Sequence, residues 1–330
     1  MRALLCKEYG PPSALSLEEV DAPECGPHAV RVAVHAAGVN FPDVLIIQGK
    51  YQFQPPRPFS PGGEVAGEIV EVGAKVQGLS VGDRVIGLTG WGGFAEEVVV
   101  PAAKCMPLPD TMDFVTGATF GMTYGTSYYA LVQRGRLAAG ETLVVHGASG
   151  GVGTAALQIG KCLGAKVIAT GGSDDKLAKV QESCDVDGVI NYATEPDLKA
   201  ALKKVTGGGA DVIYDAVGGP LFEPSLRALA WDGRLLVVGF ASGEIPTAKA
   251  NLMLLKGSSV VGVFWGAFAT RDPATNAANF RQLFAWHAEG KLRPIVTARF
   301  DLAHAHEAIE ALMDRRVVGK AVVVVRDGGP

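Results

Sequence analysis

The sequence has little cysteine, no long apolar run and no excess of basic residues. Its five cysteines are widely spaced and form no C-x-x-C pair, so neither a disulfide framework nor a cysteine-rich zinc site is predicted. No stretch reaches the roughly 18–20 apolar residues of a membrane helix, and the first apolar run is too short for a signal peptide. The formal net charge of −4 gives no electrostatic case for nucleic-acid binding. We therefore expect a cytoplasmic protein with no membrane or nucleic-acid partner.

The length of 330 residues predicts about two domains. Residues 1–121 carry short β-branched or alternating runs separated by Gly and Pro turns, which is typical of a small barrel-like β-domain. Residues 122–265 alternate strands and helices, which predicts a doubly wound parallel sheet covered on both faces. Residues 266–330 return to a mixed pattern, and we expect them to complete the first domain.

Residues 140–161, GETLVVHGASGGVGTAALQIGK, read as a strand, a glycine turn and a helix. Glycines let a backbone approach a pyrophosphate, and a helix N-terminus offers free N–H groups and a positive dipole end. The pattern is A-x-G-x-x-G rather than the strict G-x-G-x-x-G. It predicts a dinucleotide-binding turn formed by Ala148, Ser149, Gly150, Gly151, Val152 and Gly153.

The second strand of this unit, Lys166–Thr170, has no carboxylate at its end. An NAD enzyme usually places Asp or Glu there to bind the ribose 2′-hydroxyl. Here small residues leave room for a 2′-phosphate, Ser173 can donate to it and Lys176 can supply charge. Asp174 and Asp175 follow Ser173, and they either begin the next helix or repel a phosphate. We predict NADPH as the cofactor.

The segment 140–161 closely resembles the signature of the zinc-independent quinone oxidoreductases and zeta-crystallins. The matching residues are Gly140, Glu141, Ala148, Ser149, Gly150, Gly151, Gly153, Gln158 and Lys161, and Val144 is a mild departure. The likeness extends through 38–41, 61–64 and 319–320. It implies the medium-chain dehydrogenase/reductase superfamily, in which a Rossmann sheet is inserted in a GroES-like β-barrel catalytic domain. The implied activity is NADPH-dependent reduction of quinones or conjugated carbonyls.

The resemblance also bears on metal. Zinc alcohol dehydrogenases of this superfamily carry Cys, His and Cys ligands at positions that match Asn40, Gly63 and the Gly121–Met122 neighbourhood here. None of these binds zinc well, because the metal prefers thiolate, imidazole or carboxylate ligands. We expect a metal-free enzyme that transfers hydride directly to a small-molecule quinone or enone, since nothing would generate an alkoxide.

The resemblance implies three catalytic residues. Asn40 replaces the zinc cysteine and could donate its amide to a substrate carbonyl, or simply form a turn. Tyr51 could donate a proton, stack on the substrate or lie in a surface loop. Thr123 matches a nicotinamide contact, or bonds its own helix backbone. Leu45 stands where bacterial members have a second tyrosine, which weakens the transfer of substrate contacts.

Four further residues are implied to contact the cofactor. Tyr192 matches a position that reaches the 2′-phosphate. Phe240 and Phe264 follow strand ends, where ligands lie in open α/β sheets. Lys320 could contact the carboxamide or a ribose, or be a solvated surface lysine.

Two questions stay open at this level. The reductase could act on an enoyl thioester or a small enone, or the chain could be a non-catalytic NADPH-binding sensor or structural protein.

The run 258–269, SSVVGVFWGAFA, is unusually apolar for the last strand of an open sheet. Such an edge favours pairing with a second copy, so we expect a homodimer unless the chain covers this strand itself.

Overall fold

A computed structural model describes residues 1–326 of the chain. The strands are β1 (Arg2–Leu5), β2 (Ser16–Glu19), β3 (Ala29–Gly38), β4 (Glu64–Val72), β5 (Arg84–Leu88), β6 (Glu97–Pro101), β7 (Cys105–Pro107), β8 (Thr142–His146), β9 (Lys166–Gly171), β10 (Gly188–Asn191), β11 (Ala210–Asp215), β12 (Leu229–Val237), β13 (Ser259–Gly262), β14 (Val296–Asp301) and β15 (Lys320–Val324). The α-helices are α1 (Phe41–Ile46), α2 (Phe114–Gly117), α3 (Gly121–Tyr128), α4 (Gly151–Cys162), α5 (Asp174–Ser183), α6 (Leu198–Thr206), α7 (Phe222–Ala228), α8 (Ala250–Leu254), α9 (Trp265–Arg271), α10 (Pro273–Ala288) and α11 (Ala305–Met313).

The chain forms two compact units. Unit 1 consists of Met1–Met122 and the described residues from Val296 onwards, and unit 2 of Thr123–Ile295. The first boundary lies one residue from the predicted one. The second prediction is wrong, because residues 266–295 belong to unit 2. Trp265 and Phe280 pack against Gly125 of α3, where an added Cβ would lie 2.7 Å from Trp265 Cζ2 and 3.0 Å from Phe280 Cζ.

Unit 2 contains a six-stranded parallel sheet in the order β10-β9-β8-β11-β12-β13. This is the Rossmann order, and it reverses direction between β8 and β11. Leu143, Val144 and Val145 of β8 are fully buried, as a central strand covered on both faces requires. The carboxyl end of β8 therefore lies at the point where open sheets of this kind bind ligands.

Unit 1 contains a mostly antiparallel sheet in the order β14-β15-β3-β4-β5-β7, with β6 also paired to β3. Its core includes valine and isoleucine side chains from these strands, and alanine and isoleucine side chains from α11. Asp113 and Asp301 accept backbone N–H bonds at the starts of the helical segments that follow them, as expected of N-cap aspartates. The structure thus contains both predicted parts, a doubly wound parallel sheet and a mostly antiparallel β-domain.

The apolar run 258–269 differs from its prediction. Only its first part is a strand, because β13 ends at Gly262 and α9 begins at Trp265. β13 is nevertheless an edge strand of the sheet formed by the described residues. None of the helices in residues 1–326 combines the length and apolar character that crossing a bilayer requires.

Candidate active site

The glycine turn lies between β8 and α4. Gly150 is the N-cap residue of α4 and is exposed, and the first helical bond runs from Thr154 N–H to the Gly150 carbonyl at 2.8 Å. The N–H groups of the preceding three residues thus have no partner inside the helix, which is the arrangement that binds phosphate. A Cβ on Gly150 would meet only the Gly147 oxygen, at 3.4 Å, so the space above it is open.

Two members of the predicted turn serve packing instead. Ala148 is fully buried and donates its N–H to the Thr170 carbonyl at 3.0 Å. Gly153 lies so close to the turn that a Cβ would meet the Gly147 oxygen and approach Cα of Ala148 to 2.8 Å. The side available to a ligand is consequently formed by Ser149, Gly150, Gly151 and Val152.

The residues predicted to recognise a 2′-phosphate lie together after β9 and β10. A Cβ on Gly172 would be 3.1 Å from Cε2 and 3.7 Å from Oη of Tyr192, so the tyrosine ring lies against this glycine. Ser173 is the N-cap residue of α5, and Lys176 stands in its first turn, half-buried. Asp174 Oδ1 accepts a 2.8 Å bond from Asn191 Nδ2, which ties that carboxylate to β10.

Phe240 and Phe264 follow β12 and β13 as the sequence predicts. Both are partly exposed, at 36% and 50% of their surface. The Phe240 ring lies beside the turn after β11, because a Cβ on Gly218 would be 3.0 Å from its Cδ1. Aromatic rings in these positions can flank a flat ligand at the carboxyl edge of the sheet.

A buried polar cluster in unit 1 surrounds Asn40. Its Nδ2 donates to the Gly38 carbonyl at 3.2 Å and to Glu64 Oε2 at 3.1 Å, while Oδ1 accepts a 2.6 Å bond from Lys320 Nζ. Both amide hydrogens are therefore engaged within the unit. In this arrangement the Asn40 amide has no free hydrogen for the predicted donation to a substrate carbonyl.

Asp43, a residue of α1, belongs to the same buried cluster. Its carboxylate accepts the Asn40 N–H at 2.7 Å and the Gly62 N–H at 3.1 Å, and the side chain is 1% exposed. Burial raises the pKa of Asp43 to about 6, against the opposing effect of these two N–H groups and of Lys320.

Glu64 and Lys320 form a buried ion pair. Lys320 Nζ lies 3.7 Å from Glu64 Oε2 and donates to the Val39 carbonyl at 2.9 Å. Lys320 is only 5% exposed, so the alternative of a solvated lysine is wrong, and the predicted cofactor contact competes with three oxygens of its own unit. Glu64 Oε1 accepts the Met122 N–H at 2.8 Å. Burial raises the pKa of Glu64 and lowers that of Lys320, and their mutual attraction opposes both shifts.

The other two predicted catalytic residues lie in different units. Tyr51 follows α1 in unit 1, half-buried, with its ring 6.2 Å from that of Phe53. Burial, and then the nearby Asp43 carboxylate, raise the pKa of Tyr51. Thr123 is the first residue of unit 2, on α3, and is 3% exposed.

The sequence interpretation missed Asp43 and assigned no role to Glu64. Two signals were present: the N-x-x-D spacing of a reciprocal helix cap, and a carboxylate at the start of the apolar strand β4. Within residues 1–326, no group of three or more His, Cys, Asp or Glu side chains is arranged to hold a metal ion.

Models of known protein families match residues in both units. Residues 26–110 match the alcohol dehydrogenase GroES-like domain, and residues 151–285 match the family model described as zinc-binding dehydrogenase. The quinone oxidoreductase-like protein 2 homolog of Nematostella vectensis is 40% identical over 98% of this chain and 88% of its own length.

Two solved structures share the whole fold. A probable oxidoreductase from Mycobacterium abscessus is 37% identical, with a TM-score of 0.90 over 98% of this chain and 99% of that one. Escherichia coli quinone oxidoreductase, solved in complex with NADPH, is 29% identical, with a TM-score of 0.90 over 98% of this chain and 100% of that one. The chain belongs to the quinone oxidoreductase family of the medium-chain dehydrogenases/reductases.

Proposed function

We propose that this chain is an NADPH-dependent reductase that transfers a hydride to a quinone or an α,β-unsaturated carbonyl without zinc. The observation that carries the proposal is the exposed N-terminus of α4 at the carboxyl end of β8, with open space above Gly150. A relative with the same fold was solved with NADPH. The hydride chemistry belongs to the nicotinamide, and the protein supplies binding and orientation.

The described residues fit NADPH. The N–H groups at the start of α4 suit the pyrophosphate. Ser173, Lys176 and Tyr192 would hold the 2′-phosphate, and the Asn191 contact keeps the Asp174 carboxylate occupied beside them. We propose that Phe240 and Phe264 border the cofactor at the sheet edge.

The zinc-free part of the proposal rests on the chemistry of Asn40 and Gly63, which occupy the positions of metal ligands in the zinc enzymes. An amide and a glycine are poor ligands, and the Asn40 amide is already hydrogen-bonded on both sides. Polarisation of a substrate oxygen is better assigned to a hydroxyl than to Asn40. We propose Tyr51 for this role, and Thr123 as a contact of the nicotinamide.

We also propose a homodimer in a reducing compartment such as the cytoplasm. The five cysteines are free thiols, which suits reducing conditions. β13 presents an edge, and three large apolar side chains beside it are strongly exposed: Trp231 at 78%, Leu254 at 81% and Leu255 at 70%. Exposed apolar surface next to an unpaired strand favours association with a second copy.

The test of function is a panel of acceptors with NADPH, following the loss of absorbance of the reduced nicotinamide. We expect turnover with quinones or enones and none with saturated ketones or alcohols. NADPH binding without turnover across the panel would favour a non-catalytic sensor. Selective turnover of enoyl thioesters would place the chain among thioester reductases instead.

A further inference from the structure

We propose that Lys320 is a positioning residue of the reductase. Its ammonium group fixes the Asn40 carboxamide and the Glu64 carboxylate, and Glu64 in turn holds the Met122 backbone next to Thr123. The inference rests on the proposed function, and it gives Lys320 a different role from the cofactor contact expected from the sequence.

The first step is the geometry of the ammonium group. A lysine has three donors and no acceptor. Lys320 Nζ donates to Val39 O at 2.9 Å and to Asn40 Oδ1 at 2.6 Å, and it forms an ion pair with Glu64 Oε2 at 3.7 Å. Because a lysine can only donate, the Asn40 oxygen must face it, and the amide is fixed in one orientation.

The second step is charge. Asp43 and Glu64 are two carboxylates that are 1% and 0% exposed, and Lys320 is the cation that faces them. Removing one partner of such a buried set leaves charge without compensation, which is far more costly than removing the pair together. The Lys320 ammonium group therefore favours the ionised form of Glu64 and opposes the rise in its pKa that burial causes.

The third step is the hydrogen bond between the Glu64 carboxylate and the Met122 backbone N–H. Glu64 Oε1 accepts the Met122 N–H at 2.8 Å, near the start of α3, where a negative charge also suits the helix dipole. Two glycines leave room for the carboxylate: a Cβ would lie 3.0 Å from Oε1 at Gly121 and 3.1 Å from Oε2 at Gly38. An ionised carboxylate is a stronger acceptor than a protonated one, so loss of the Lys320 charge loosens this contact.

The experiment compares Lys320→Met and Lys320→Arg with the exposed control Lys75→Met. We expect Lys320→Met to lower kcat/KM for the acceptor about tenfold or more while the NADPH Kd stays near that of the wild type. The low-pH limb of the kcat/KM profile should move upward, because Glu64 and Asp43 gain protons more easily without the ammonium group. Lys320→Arg should restore most of the rate.

A second readout does not use activity. Hydrogen exchange at the Met122 amide should accelerate in Lys320→Met and remain slow in Lys75→Met. If Lys320→Met does not fold, the double variant Lys320→Met/Glu64→Gln removes both charges together and should fold with fast exchange at Met122.

Three results would overturn the inference. A rise of about tenfold in the NADPH Kd of Lys320→Met would indicate that Lys320 contacts the cofactor instead. A lower melting temperature with unchanged kcat/KM, pH profile and exchange would leave only a structural role. Unchanged exchange at Met122 in the double variant would contradict the hold through Glu64. A wild type without reductase activity would refute the proposed function, while the exchange measurement would still decide the contact.

Discussion

Gly153 lies directly against the Gly147 carbonyl group, so a Cβ at position 153 would collide with that oxygen. Gly150, three residues earlier, faces open space. One glycine therefore allows helix α4 to pack against the turn after β8, and the other leaves its backbone accessible to a ligand.

The two glycines should respond differently to substitution. Gly150→Val should keep the wild-type melting temperature and weaken NADPH binding about tenfold or more, because the new side chain fills the space above the turn. Gly153→Val should lower the melting temperature by several degrees, as expected of overpacking. Calorimetry and NADPH titration of both variants provide the check. An unchanged Kd in Gly150→Val would contradict the phosphate site.

Cofactor choice should depend on Lys176. Lys176→Ala should lower kcat/KM for NADPH and leave that for NADH nearly unchanged, since NADH lacks the 2′-phosphate. Lys179→Ala is the matched control, because Lys179 is an exposed lysine on the same helix. Steady-state kinetics with both cofactors test this. A wild type that prefers NADH would overturn the assignment and direct attention to Asp174.

Asp43 should make stability depend on pH. Its pKa rises from 3.8 to about 6 in the folded protein, so the folded state binds the proton more tightly than the unfolded one. The stabilisation is then complete below about pH 4 and is lost as the pH rises through about 6, a change on the order of 2–3 kcal/mol. Asp43→Asn should remove this part of the pH dependence.

Urea unfolding at several pH values measures this effect. Asp110→Asn, at an exposed position, should keep the wild-type dependence. Parallel curves for the wild type and Asp43→Asn between about pH 4 and pH 7 would show that Asp43 does not carry the raised pKa.

Association should depend on the surface beside β13. The wild type should have the mass of a dimer in light scattering at micromolar concentration, and Leu255→Asp should shift it towards the monomer by placing a charge in the apolar contact. Ile245→Asp is the control, since Ile245 is also 75% exposed and lies in the same unit. A wild type of monomer mass, or equal effects of both variants, would refute this surface as the interface.

Metal removal should have no effect on turnover. A chelator should leave the rate intact, and elemental analysis should find no stoichiometric zinc, because the amide of Asn40 and the glycine at position 63 are poor zinc ligands at the positions that the proposal matches to the metal site. Inactivation by chelator that added zinc reverses would overturn this.

The sequence predicts those elements that repeat or follow local rules. The glycine turn and the alternation of strands and helices depend on neighbouring residues, and the structure has both where the sequence predicts them. Local pattern does not settle the run 258–269, because a short apolar segment suits a strand and a helix equally well. In the structure α9 begins inside this run.

The polar cluster around Asn40 could not be read from local pattern. Lys320 lies 280 residues from Asn40 along the chain, and an isolated lysine is usually solvated. Only the pairing of β15 with β3 brings Lys320 to the end of the strand that precedes Asn40. The sequence therefore predicts a role for Asn40 but does not reveal its partners Lys320, Glu64 and Asp43.

The most direct measurement uses NADPH with deuterium at both C4 positions of the nicotinamide and follows transfer of the label to an enone acceptor in the presence of chelator. The account predicts slower turnover than with unlabelled NADPH and one deuterium on the β-carbon of the product. It is contradicted if no enone or quinone is reduced while NADPH binds, or if turnover occurs only after zinc is added.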